Sequence, residues 1–80
     1  MNWEELKQQG SDHYKTGGVE PIDLYRAVGA FRPFALCSIV KYSFRSLTRW
    51  QRDQPILEQD LDKIIDYAQK LKADLHEKSI

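Results

Sequence analysis

The stretch PFALCSIVKYSFRSLTRW, residues 33–50, reads as one helix with two different sides. Leu36, Val40, Ser43, Leu47 and Trp50, flanked by Ile39 and Phe44, recur at steps of three and four. That is the spacing of a single helical face, and the stripe is expected to be buried. Ser38, Lys41, Arg45, Arg49 and Arg52 follow at steps of three, four, four and three. If the helix continues that far, they stack in a line along another of its faces.

Working outward, all three prolines stand where a helix should begin: Pro21 after Glu20, Pro33 after Arg32 and Pro55 after Gln54. Proline favours the first helical position, where its missing N–H costs nothing. Gly10 and Gly29 follow apolar-periodic runs and read as left-handed C-terminal caps. The chain is therefore expected to be all-α, a small bundle of three to four helices at about 2–9, 21–29, 33–50 and 55–76, with a polar, ordered loop at about 10–20. The second helix shows Ile22, Tyr25, Ala27 and Val28, with Asp23 in its first turn where a carboxylate suits the helix dipole. The last helix is long. Leu57, Leu61, Ile64, Ala68, Leu71 and Leu75 alternate steps of four and three like a coiled-coil seam, with Ile65 widening the strip, so self-association through this helix is expected. No internal repeat appears, and residues 1–80 read as one helical domain.

Eighty residues bury only a modest core, so a site of any size is expected at an edge or between subunits. The hydrophobic share of 41% and charged share of 30% belong to a folding chain rather than a disordered one. Twelve basic and twelve acidic side chains cancel, which excludes a generally basic nucleic-acid coat. The distribution is uneven. No acid lies between Asp23 and Asp53, while Arg26, Arg32, Lys41, Arg45, Arg49 and Arg52 fall inside that window, making the third helix basic. Acids gather in the last segment. Cys37, a single cysteine, cannot form an intrachain disulfide, and no charged-then-apolar leader opens the sequence, so a reducing, cytoplasmic setting is expected. Lys41, Arg45 and Arg49 interrupt the apolar runs before the roughly 18 residues that a membrane span requires.

Lys41, Arg45 and Arg49 could hold phosphates, because guanidinium groups offer paired donors and the lysine a point charge. Pairing with the acidic stripe Glu58, Asp62 and Asp66, or plain solvation, are the competing readings. His13 and Tyr14, with Lys15 and two glycines, could stack a base and hydrogen-bond a sugar, or could pin the loop onto the helices. The glycine spacing fits no Walker loop. His13, His76 and Cys37 stand at no metal-ligand spacing, so no metal and no cofactor is expected. No nucleophile, histidine and carboxylate are spaced to suggest a triad, and binding is favoured over catalysis. DNA binding through the basic helix is disfavoured by the zero net charge and by the apolar positions around that helix.

His13-Tyr14, Val19-Glu20-Pro21-Ile22-Asp23, Ile39-Val40-Lys41-Tyr42 with Arg45, and Asp60-Leu61-Asp62-Lys63 leading to Tyr67 and Leu71 come in a fixed order. The series resembles a small bacteriophage domain family of unknown function organised around His-Tyr, Ile-Glu-Pro-Ile-Asp, Lys-Tyr and Asp-Leu-x-Lys blocks, over roughly residues 12 to 72. The chain departs from the family pattern with Cys37-Ser38 where members carry Gly-Asn, and with Arg52-Asp53-Gln54-Pro55 in place of a basic, glycine-containing link. The resemblance implies a phage or prophage origin. A related domain occurs in a phage nucleotide kinase without a Walker loop, which implies nucleotide binding. Carried over position by position, His13, Tyr14, Glu20, Asp23, Lys41, Tyr42, Arg45 and Asp60 are the polar residues expected to line one site. The leading expectation is a homo-oligomeric nucleotide-binding module for nucleotide metabolism or sequestration of a nucleotide signal, with kinase activity the possible exception to pure binding. The alternative is a module that binds and inhibits a host protein.

Overall fold

Each proline falls in the first turn of a helix, and Gly29 follows the end of one. The computed structural model describes residues 2–7 and 20–78, and these form four helices: α1 (Trp3–Lys7), α2 (Pro21–Ala27), α3 (Phe31–Arg49) and α4 (Gln54–Lys78). The fold is a small all-α bundle with a long last helix. Pro21 opens α2, whereas α3 begins at Phe31, two residues before Pro33, and α4 begins one residue before Pro55. Proline is tolerated throughout the first turn, because none of the first four N–H groups has an intrahelical partner. The expected cap at Gly10 and the loop at about 10–20, with His13 and Tyr14, lie outside the described residues.

The other caps are built from side chains and one glycine. Asp23 reaches back to accept from the Glu20 backbone N–H at 2.9 Å, fixing the entry to α2. At its exit Gly29 takes a φ of 75°. Its N–H donates to the Arg26 carbonyl at 3.1 Å and the Ala30 N–H donates to the Tyr25 carbonyl at 2.7 Å, the paired bonds of a Schellman motif. The turn into α4 ends on Asp53, whose carboxylate accepts from the Ile56 N–H at 3.1 Å.

α3 and α4 run antiparallel, as their ion pairs show: Arg45 meets Asp60 and, further back along α3, Arg32 meets Asp74. α1 packs on α4 and α2 on α3 at the far end of this hairpin. There Trp3, Phe31 and Ala35 form the apolar core, with Ile22, Tyr25, Phe34, Tyr67, Leu71 and Ala73 around them. The Trp3 and Phe31 rings meet edge to face at 5.1 Å.

One expectation is overturned. The α3 stripe is not buried in the chain: Leu36 is 56% exposed, Val40 67%, Phe44 67%, Leu47 72% and Trp50 54%, and Ser43 is exposed as well. The face turned to α4 is instead Phe31, Ala35, Ser38, Tyr42, Arg45 and Ser46. The physical reason lies on α4. Its inward side carries Asp60, Lys70 and Asp74, all buried, and a buried carboxylate must be met by charge-bearing donors. Small residues at 35, 38 and 46 let the helices approach closely enough for the arginines and Ser46 to supply them. The α4 seam is also divided: Leu57, Ile64, Ala68 and Leu71 are half-buried, while Leu61 and Leu75 are exposed.

Candidate functional site

Asp60 is fully buried and anchors the site. The Arg45 Nε donates to its two carboxylate oxygens at 2.8 and 3.1 Å, Arg45 Nη2 donates to Oδ1, and the Ser46 hydroxyl donates to Oδ2 at 2.8 Å. The Arg45 hydrogen bonds and the Ser46 hydroxyl outweigh burial and hold the Asp60 carboxyl below the usual carboxylate range. The same contact pushes the Arg45 guanidinium up, so both groups stay charged. Arg45 and Ser46 are neighbours on α3, which lets one aspartate cross-brace two positions of the facing helix.

Beside this pair lies Tyr42, one turn earlier on α3. The Lys41 ammonium sits 4.6 Å from the centre of its ring and the Arg45 guanidinium 5.4 Å. Tyr42 also stacks on Tyr67 of α4, with centroids 6.3 Å apart. Tyr67 meets Phe34 edge to face at 5.7 Å, and Phe34 meets Tyr25 of α2 at 4.7 Å. An aromatic ladder thus runs from α2 across the hairpin to the Arg45–Asp60 pair. Burial pushes the Tyr67 phenol above its ordinary value, keeping it neutral.

The structure therefore gathers four of the eight expected residues, Lys41, Tyr42, Arg45 and Asp60. Glu20 and Asp23 sit at the start of α2, where Asp23 caps the helix. His13 and Tyr14 lie outside the described residues. Among the described residues the acidic stripe Glu58, Asp62 and Asp66 forms no ion pair with the basic line. Glu58 and Asp62 are exposed, and Asp66 pairs with Lys70 at 2.8 Å. Of the basic line, Ser38 is buried and Arg45 is bound to Asp60, while Lys41, Arg49 and Arg52 are exposed and form no ion pair among the described residues.

A second ionic cluster at the far end of the hairpin was missed by sequence reasoning. Asp74 is buried and accepts from Arg26 Nε and Arg32 Nε, each at 2.8 Å; Arg26 Nη2 also reaches Glu77 at 2.6 Å. The Arg26 guanidinium lies 3.9 Å over the Trp3 ring. Burial raises the Asp74 carboxyl, but the Arg32 and Arg26 hydrogen bonds outweigh it and hold the group below its ordinary range. An open cleft of about 430 Å³, lined by Arg26, Gly29, Phe31, Arg32 and Asp74, adjoins it. A signal was present in the sequence. Asp60, Tyr67 and Asp74 recur every seven residues, with Ile64 and Leu71 between them, a second seam on α4.

Among the described residues no three His, Cys, Asp or Glu side chains converge as metal ligands, and no helix is long and apolar enough to cross a membrane. A family model described as a protein of unknown function (DUF3310) matches residues 8–69. No curated protein and no solved structure matches the chain.

Proposed function

We propose that this chain, which belongs to that family of proteins of unknown function, is a phage-type module binding a nucleotide or another phosphate-bearing anion on the basic edge of α3. Its setting would be the cytoplasm of an infected or lysogenic bacterium, in nucleotide metabolism or in sequestering a nucleotide signal. The observation that carries the reading is the pair of exposed cations on either side of Arg45. Lys41 and Arg49 stand one helical turn before and after it; neither forms an ion pair among the described residues, although the Arg49 charge lies within electrostatic reach of Asp60. They supply the charge for phosphate oxygens. Arg45 is neutralised by Asp60, so it serves as a positioning residue whose guanidinium lies 5.4 Å from the Tyr42 ring centre, with the Lys41 ammonium at 4.6 Å from the same ring. Binding, rather than turnover, is the activity proposed.

Thermal stabilisation by a panel of mononucleotides and cyclic nucleotides tests this, because a ligand of the native state raises the melting temperature. A shift with one ligand class that disappears in Lys41→Ala/Arg49→Ala supports the reading. No shift at millimolar concentrations contradicts it.

A second reading, a module that captures and inhibits a host protein, draws on the exposed apolar stripe of α3. It predicts that the purified chain binds its target equally well after Lys41→Ala/Arg49→Ala and loses it after Val40→Glu.

A further inference from the structure

The outward face of α3 is apolar, uncharged and symmetric along its length. Leu36 and Trp50 lie seven residues either side of Ser43, and Val40 and Leu47 lie three and four residues either side. Phe44, Cys37 and Gln51 border the stripe, and no acid or free base stands on it; Arg32, at its start, is held by Asp74. We infer that this face is covered by the same face of a second copy of the chain, with the two α3 helices antiparallel about a two-fold axis at Ser43.

Three features choose a second copy over another occupant. The order large, large, small, large, large reads the same in both directions. An antiparallel pair therefore sets Leu36 against Trp50 of the other copy and Val40 against Leu47, as a two-fold interface demands. Ser43, the smallest member, falls at the crossing point, where short side chains let helix axes approach to about 8 Å. A neutral face meets its own image without charge repulsion, whereas the charged flanks of the molecule would repel theirs. The size also fits. Leu36, Val40, Phe44, Leu47 and Trp50, at their observed exposures, present on the order of 600 Å², and their neighbours extend this toward the roughly 800 Å² per partner of a standard interface. The self-association expected of the last helix is thereby assigned to α3 instead, since Ile64 and Leu71 of that seam already turn toward their own chain.

The test begins with the unaltered protein, by light scattering behind size exclusion at 10 to 100 µM. A mass of two chains, twice 9.4 kDa, is expected. A mass of one chain across the range overturns the inference. The axis is tested separately with Ser43→Cys in a Cys37→Ser background. Under mild oxidation a residue on the axis cross-links to its own image, so a disulfide dimer forms in high yield, while Thr48→Cys in the same background, a quarter turn off the stripe, stays uncrosslinked. Equal cross-linking of both, or of neither, overturns the two-fold arrangement. Leu47→Glu is expected to halve the mass with helicity retained. Should it unfold the chain, the Ser43→Cys result still decides.

Discussion

α3 carries two stripes of the same helical spacing and opposite chemistry, and the hairpin uses the less apolar one. Inward lie Ala35, Ser38, Tyr42 and Arg45; outward lie Leu36, Val40, Leu47 and Trp50. Hydrophobicity alone would turn the helix the other way. The inner contact is set instead by satisfaction of buried charge. Asp60 and Asp74 on α4 lose far more if left unpaired than the outer leucines lose by remaining accessible. The inner stripe fixes the geometry of the chain, and the outer one is kept for whatever it meets.

The largest effect is expected where the inner contact is most buried. Asp74→Ala strands Arg26 and Arg32, and because both arginines keep some solvent the cost should be about 2 kcal/mol, below the range for a fully buried pair. Urea denaturation would read it. An unchanged midpoint would place the cohesion of the hairpin elsewhere.

Acid should attack the same stripe. Asp60 and Asp74 are held below their unfolded values, so the stability they contribute is present above about pH 4 and is lost as pH falls through their lower folded values. Melting temperature should be level from pH 7 to about 5 and decline below about 4. The Asp74→Ala variant should show a shallower decline than the parent.

Ser46→Ala removes the hydroxyl that donates to Asp60 while leaving Arg45 in place, and should cost about 1 kcal/mol. The smallest effect belongs to the outer stripe. At dilutions where the chain is single, Leu47→Glu should stay within about 0.5 kcal/mol of the parent, since the side chain is already exposed. A gap that opens as concentration rises would show the outer stripe at work, because only association can bury that position. A gap that is the same at every concentration would mean that Leu47 already contributes within the single chain.

Local chemistry made the helices legible. Pro21, Pro33, Pro55 and Gly29 act through backbone geometry that no distant contact alters, and the structure places a helix start or stop within two residues of each, although α3 begins at Phe31 rather than at Pro33. The facing of α3 was not legible in the same way. Its two stripes share one periodicity, so the pattern identifies faces without saying which neighbour each meets. That depends on Asp60 and Asp74, far along the chain. Lys41, Tyr42, Arg45 and Asp60 were expected together only as part of a set of eight that the family resemblance implied, and the structure brings these four close to one another. The Arg26–Asp74–Arg32 cluster was not expected, because its members stand 48 and 42 residues apart and join only when the hairpin closes.

A double-mutant cycle on Arg45→Ala and Asp60→Ala, read as melting temperatures, tests most directly that the polar stripe holds α3 to α4. Two partners of one contact do not lose independently. The account predicts that the double variant melts no lower than the worse of the two single variants. Losses that simply add would mean that Arg45 and Asp60 do not meet, and would contradict it.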